Sequence, residues 1–282
     1  VIMALTIVFM ALFSILLAIR NLKSKYNLLF IVMVLGMSLS LLTIISEVYK
    51  GSNYHIPSII SYRGIEYRMF LYISRIFTLS LSNLQILRNF GIMLYLTANM
   101  SFAITFNKNI NVEINKKGVR KIRKAFIYAF LIAYPILYFL FYNPNTAYNI
   151  FLLSNKLDGI QKTLFVNITI IIDYLMLFST LVYLIYPIYI LFRSFIKSKI
   201  SFLAEQLLAL AISLFLLNSI FFMVFFTGAF KTSIHNVLDS AFWRYELDII
   251  VPGYYISVLP IFSFVILLII LFITYKFKTD RM

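Results

Sequence analysis

The chain contains no cysteine. That excludes disulfides, thiolate metal ligands and a cysteine nucleophile. Histidine is nearly as scarce. His55 and His235 are the only two, so a multi-histidine metal site or a bis-histidine haem lacks ligands, and there is no HExxH. Neither a GxSxG nucleophile elbow nor a Walker-type phosphate loop is present. No catalytic residue, metal ligand or cofactor is therefore assigned. Acid is also in short supply: ten Asp and Glu stand against 25 Lys and Arg, for a net charge of +15.

What the chain has instead is apolar length. Of its 282 residues 62% are hydrophobic, and its mean hydropathy is +0.93. Soluble domains do not carry that composition. Several runs exceed the ~20 apolar residues a helix needs to cross about 30 Å of hydrocarbon. The reading is an all-α, polytopic bundle of membrane helices. The first run is not a cleaved signal peptide, because it lacks a basic start and a small-residue cleavage site. The chain starts at Val1 and stops at Met282 just after a charged run, which suggests a piece of a longer protein.

Orientation is set by one stretch. Asn107 to Lys124 holds seven Lys or Arg and one acid, Glu113, between two apolar runs. Its densest part is Lys116, Lys117, Arg120, Lys121, Arg123 and Lys124. A short basic loop of this kind stays on the cytoplasmic side. The apolar runs are Val1–Ile19, Leu28–Ile45, Met69–Phe106, Ala125–Phe141, Leu164–Phe192, Leu207–Phe230 and Gly253–Tyr275. Met69–Phe106 is too long for one crossing, at about 57 Å if helical. Reading it as two spans would place the basic loops at Arg20–Lys25 and Asn107–Lys124 on opposite sides. Counted as one span, the two agree. The expectation is seven transmembrane helices, N-terminus outside and C-terminus cytoplasmic. Met69–Leu87 is then an outer helical extension or a segment in the outer leaflet. The clustered positive charge implies contact with anionic lipid at the inner face, not with nucleic acid.

Polar groups inside the apolar runs are the candidate site. Counted from the inner ends, Arg88, Asp173 and Glu47 lie about 27, 28 and 31 Å up their helices. All three therefore reach one layer near the outer surface. Ionisable groups at membrane depth are costly and usually paired. Arg88–Asp173 is a candidate ion pair, with Glu47 as the alternative partner; the competing reading leaves these charges in the outer headgroups. Thr78, Ser82, Gln85 and Asn89 recur at spacings of 4, 3 and 4, one helix face, with Arg75 and Arg88 beside it. Gly91, Tyr95 and Asn99 continue the face inward. It should point into the bundle, as the wall of an outward-facing pocket or as interhelical hydrogen bonding. Asn218 has the same two readings. Gly36 and Ser40 form a small-xxx-small pair that lets a neighbouring helix come close. Pro135, Pro187 and Pro260 each interrupt a run. Pro260 is the candidate for signal transmission, because the last helix leads into whatever follows.

Other seven-span classes fit poorly. The last run has no internal Lys for a retinal Schiff base and no NPxxY, and the third ends in TFNK without an acid–Arg–aromatic triplet. Three motifs point elsewhere: Tyr142-Asn143-Pro144 after the fourth run, Phe225–Phe230 (FFTGAF) closing the sixth, and Tyr275–Lys278 (YKFK) ending the seventh. In these the chain resembles the multi-span sensor part of membrane histidine kinases of low-GC Gram-positive bacteria. The resemblance implies a cytoplasmic kinase core beyond Met282. The expected partners are an unknown small ligand or peptide on the input side, and a second copy met through the last helix and cytoplasmic region. The segment itself has no cytoplasmic His and no nucleotide loop, so it is expected to be the input domain and not an enzyme. The alternative is a transporter or channel-type bundle, which should carry a polar path through its inner half.

Overall fold

The computed structural model describes residues 2–21, 25–55, 81–110, 129–130, 133–140, 149–150, 152–198, 201–227 and 253–276. Every regular element among them is helical. They are α1 (Ile2–Asn21), α2 (Lys25–His55), α3 (Leu81–Ile110), α4 (Gly159–Lys197), α5 (Ser201–Phe222) and α6 (Gly253–Lys276). A π-helical turn, Met223–Thr227, extends α5, and residues 133–140 form a further helical stretch. Among the described residues three segments are long and apolar enough to cross a membrane: Lys25–Thr43, Gly159–Lys197 and Ala204–Phe225. Shorter apolar segments are Leu5–Leu16 and Pro260–Ile273.

In lipid an apolar run becomes a helix because lipid offers no hydrogen bonds, so a backbone must satisfy its own. The helix limits follow the runs where charge stops them: α6 matches Gly253–Tyr275 to within one residue. Several helices run past the expected limits; α5, for one, begins six residues before Leu207. α2 continues ten residues beyond Ile45, through Glu47 and Lys50 to His55. α4 starts five residues before Leu164, with Gly159 at φ +54° closing the turn that precedes it. Polar residues do not end a helix; they only end its apolar stretch. Of the first part of the Met69–Phe106 run, residues 69–80 lie outside the described residues.

Packing runs around a ring. α1 packs on α2, α2 on α3, α3 on α4, α4 on α5, α5 on α6, and α6 back on α1. The α2–α3 contact is the most extensive. Gly36 and Gly91 are the reason. A Cβ on Gly36 would stand 2.8 Å from the Gly91 carbonyl oxygen and 2.8 Å from the Tyr95 nitrogen. A Cβ on Gly91 would stand 2.7 Å from the Gly36 oxygen and 2.9 Å from the Ser40 nitrogen. The two backbones touch because neither position has a side chain. Between helices in lipid, such close van der Waals packing replaces the hydrophobic drive. The small-xxx-small pair of α2 thus sits against Gly91 of α3. The buried core runs from Met33, Met37 and Leu41 through Ile92, Tyr95 and Leu96 to Leu214, Phe221 and Ile270.

A candidate polar site across three helices

Most hydroxyls in these helices are satisfied locally. Ser14, Ser38, Ser194 and Ser213 each donate to the carbonyl four residues earlier. Such groups are silent. The polar side chains that reach across to another helix are fewer, and they form two layers.

The first layer surrounds Arg88. Arg88 is 3% exposed and Asn89 1% exposed, so both lie inside the bundle. The Ser40 hydroxyl, which donates to Gly36 O at 2.9 Å, also approaches the Arg88 carbonyl at 3.4 Å. Tyr138, buried in the 133–140 stretch, lies close enough to feel the Arg88 charge. Register places the other charges. Ser40 stands opposite Arg88, and Tyr26 meets Phe102 edge-on at 5.9 Å, so α2 and α3 are antiparallel. Glu47 is then seven residues further along α2, about 10 Å beyond the Arg88 layer. Tyr26 is level with Phe102, not with Phe106, which lifts Glu47 out of the Arg88 layer. For α4 the marker is Asn99, whose Nδ2 donates to Tyr183 O. Phe130 and Tyr134 pack on Tyr183, and Tyr138 further along the same stretch lies by Arg88, so α3 and α4 run parallel. Asp173, ten residues before Tyr183, therefore shares the level of Arg88, eleven before Asn99. Asp173 is only half-buried.

The second layer lies about 16 Å further along α3. Pro187 sits inside α4. It has no N–H, so the carbonyl four residues back, Tyr183 O, loses its helical donor. Asn99 of α3 supplies one, at 3.3 Å. Asn218 of α5 donates to the next carbonyl, Leu184 O, at 2.7 Å. The Asn218 Oδ1 in turn accepts from Asn99 Nδ2 at 3.2 Å and from the Tyr95 hydroxyl. Tyr95 stacks on Phe221 with centroids 4.1 Å apart. The π-helical turn begins one residue after Phe222, within two turns of Asn218. Three helices are thus joined at the break in α4. Beside it Tyr183 donates to Phe130 O at 3.0 Å, and Tyr134 bonds Thr180.

Of the residues singled out in the sequence, Arg88, Asn89, Gly91, Tyr95, Asn99 and Asn218 are brought into the interior. Ser82 and Gln85 lie in the first turns of α3, and Glu47 in α2, where only the backbone is described. Arg75, Thr78 and the basic group Lys116, Lys117, Arg120, Lys121, Arg123 and Lys124 lie outside the described residues. Pro260 is half-buried in α6. Sequence reading missed the link between Pro187 and the two asparagines, and the tyrosines 134, 138 and 183. The signal was present: an interrupting proline frees a carbonyl four residues back, and buried Asn on other runs is its natural donor. Among the described residues no group of three His, Asp or Glu is placed to hold a metal.

Neither a family model, a curated protein nor a solved structure matches the chain. The functional reading therefore rests on the residues themselves.

Proposed function

We propose that this chain is the membrane input domain of a signalling protein. In this reading it is a seven-helix, multi-pass bundle of the cell membrane, N-terminus outside and C-terminus cytoplasmic. A ligand from outside, or from the outer leaflet, engages the layer around Arg88. The last helix carries the change to a cytoplasmic output module, of which a histidine kinase is the kind the resemblance implies. The observation that supports the reading is the placement of Arg88. A guanidinium 3% exposed in an apolar helical bundle is expensive to keep. Its neighbours, Asn89, Ser40 and Tyr138, with Asp173 at the same level, lie toward the end of the bundle that the positive-inside pattern puts outside. A ligand can act there only through different affinity for two states of the bundle.

Topology comes first. A reporter active only in the cytoplasm should work when fused after Lys124 or Lys199 and should fail after Asn149 or Asn236. Activity at Asn236 with none at Lys199 reverses the orientation and ends the proposal.

The site itself is tested in the full-length protein. Arg88→Gln and Asp173→Asn should each alter basal autophosphorylation in isolated membranes by several-fold while the amount of protein changes less than two-fold. The double variant should be no worse than the worse single, because a charge left without its counterpart costs more than removing both. Unchanged output from both single variants at equal expression would remove Arg88 from the input site.

A further inference from the structure

The length of α4 is out of proportion to a bilayer. Its 39 residues extend about 58 Å. Its cytoplasmic end is marked, in the orientation proposed above, by Arg193 and Lys197, both exposed. Twenty residues of hydrocarbon counted up from Phe192 end near Ile172. Even at a 40° tilt the hydrocarbon ends near Val166. Yet the exposed apolar side of α4 does not stop there. Ile160 is 80% exposed, and Leu164, Ile168 and Ile171 are all more than half exposed. Water meets apolar side chains over the last two to three turns unless something covers them.

The spacing says what could. From Leu164 the exposed apolar positions step 168, 171, 175 and 178, alternating by four and three, and the same count arrives at Ile185 and Ile196. One half-buried member, Val182, fills the count between Phe178 and Ile185. That is a heptad seam continued across the hydrocarbon edge. Lipid covers only the part within the bilayer, and a soluble peptide only the part outside it. A cover for both must be a long helix that is apolar at the same depth on both sides of the boundary. Among the described helices α4 alone has an exposed apolar face of this length; those of α1, α5 and α6 run only from Leu5 to Leu16, Ile212 to Met223 and Ile261 to Phe272. We infer that α4 is covered by α4 of a second copy of the chain, in a parallel, two-fold pair that runs from the membrane into the outer space. A two-fold contact uses the same patch on both subunits, and two copies in one membrane orientation can meet only in parallel. This interface is distinct from one through α6. It rests on the membrane placement proposed above.

The absence of cysteine makes the test clean. Single-cysteine variants of this 282-residue chain, in native membranes, are oxidised with copper–phenanthroline and run without reductant. Leu164→Cys, Ile168→Cys and Ile171→Cys should form a dimer band at least five-fold stronger than the off-seam variants Thr163→Cys and Val166→Cys. Equal cross-linking at all five positions, no dimer band at any seam position, or a product of another mass overturns the second-copy seam. Thr163→Cys also reports placement: a membrane-impermeant maleimide should label it in intact cells. If it stays unlabelled there but is labelled in opened cells, the membrane placement fails, and with it the argument that α4 stands above the bilayer. If it labels and the seam does not cross-link, only the dimer fails.

Discussion

Gly91→Ala should destabilise the bundle strongly. The added Cβ would lie 2.7 Å from the Gly36 oxygen and 2.9 Å from the Ser40 nitrogen, both backbone atoms, and nearest of all to the Ser40 hydroxyl. A flexible side chain could turn away; a helix backbone cannot without separating α2 from α3. Overpacking costs typically about 1–3 kcal/mol. Ala gains about 1 kcal/mol over Gly in helix propensity. The clash wins here because both neighbours are main chain, and the net loss should be near 2 kcal/mol. Gly159→Ala is the comparison. Nothing lies within 4 Å of its Cβ position, so its cost comes only from φ +54°, about 1–2 kcal/mol. Ser40→Ala in the Gly91→Ala background removes the hydroxyl contact but leaves the two backbone contacts, so rescue should be partial. Unfolding midpoints of the purified protein in detergent would rank them. A Gly91→Ala midpoint equal to that of the unaltered protein would mean that α2 and α3 do not meet through these glycines.

That α2–α3 contact was half visible in the sequence. Gly36 and Ser40 announce a close neighbour, because small residues four apart on an apolar helix leave a groove. They do not say which helix fills it. The α3 face of Arg88, Asn89, Gly91, Tyr95 and Asn99 was legible for a similar reason: polar side chains recurring on one side of an apolar helix must avoid lipid. Composition alone was enough for helices, since no other open structure satisfies a backbone in hydrocarbon. Register was not legible. The Glu47 depth came from where charge begins, and charge begins wherever a helix leaves the apolar layer, which differs from helix to helix. Ser40 against Arg88 and Asn99 against Tyr183 O are contacts between segments 48 and 84 residues apart. Nothing local encodes them. The start of α4 was not legible in the Leu164–Phe192 run, because Gly159, Gln161, Lys162 and Thr163 end an apolar stretch without ending a helix.

The link between Asn99 and Pro187 makes the sharpest energetic test. With Pro187 in place, Asn99→Leu leaves Tyr183 O in an apolar interior without a donor from α3 or from its own helix. An orphaned buried carbonyl costs about 1–3 kcal/mol. Interhelical hydrogen bonds measured in membranes are weaker, averaging about 0.6 kcal/mol and reaching about 1.7. The higher value applies here, because a proline-freed carbonyl has no alternative partner in the helix, whereas an ordinary backbone carbonyl does. Asn99→Leu should therefore cost about 2 kcal/mol. Pro187→Ala restores an N–H at position 187, which can bond Tyr183 O four residues back. In that background Asn99→Leu loses only its bond to Asn218, and should cost less than about 1 kcal/mol. The two changes are then non-additive by about 1 kcal/mol or more. Asn218→Leu should behave differently. Its Nδ2 serves Leu184 O and its Oδ1 serves both Tyr95 and Asn99, so restoring one backbone N–H at 187 rescues little of its loss. A double-mutant cycle on unfolding free energy in detergent reads all of this. Additive costs for Asn99→Leu and Pro187→Ala would show that the asparagine does not answer the proline. Equal rescue of Asn99→Leu and Asn218→Leu would show that straightening α4, not refilling one carbonyl, is what Pro187→Ala does.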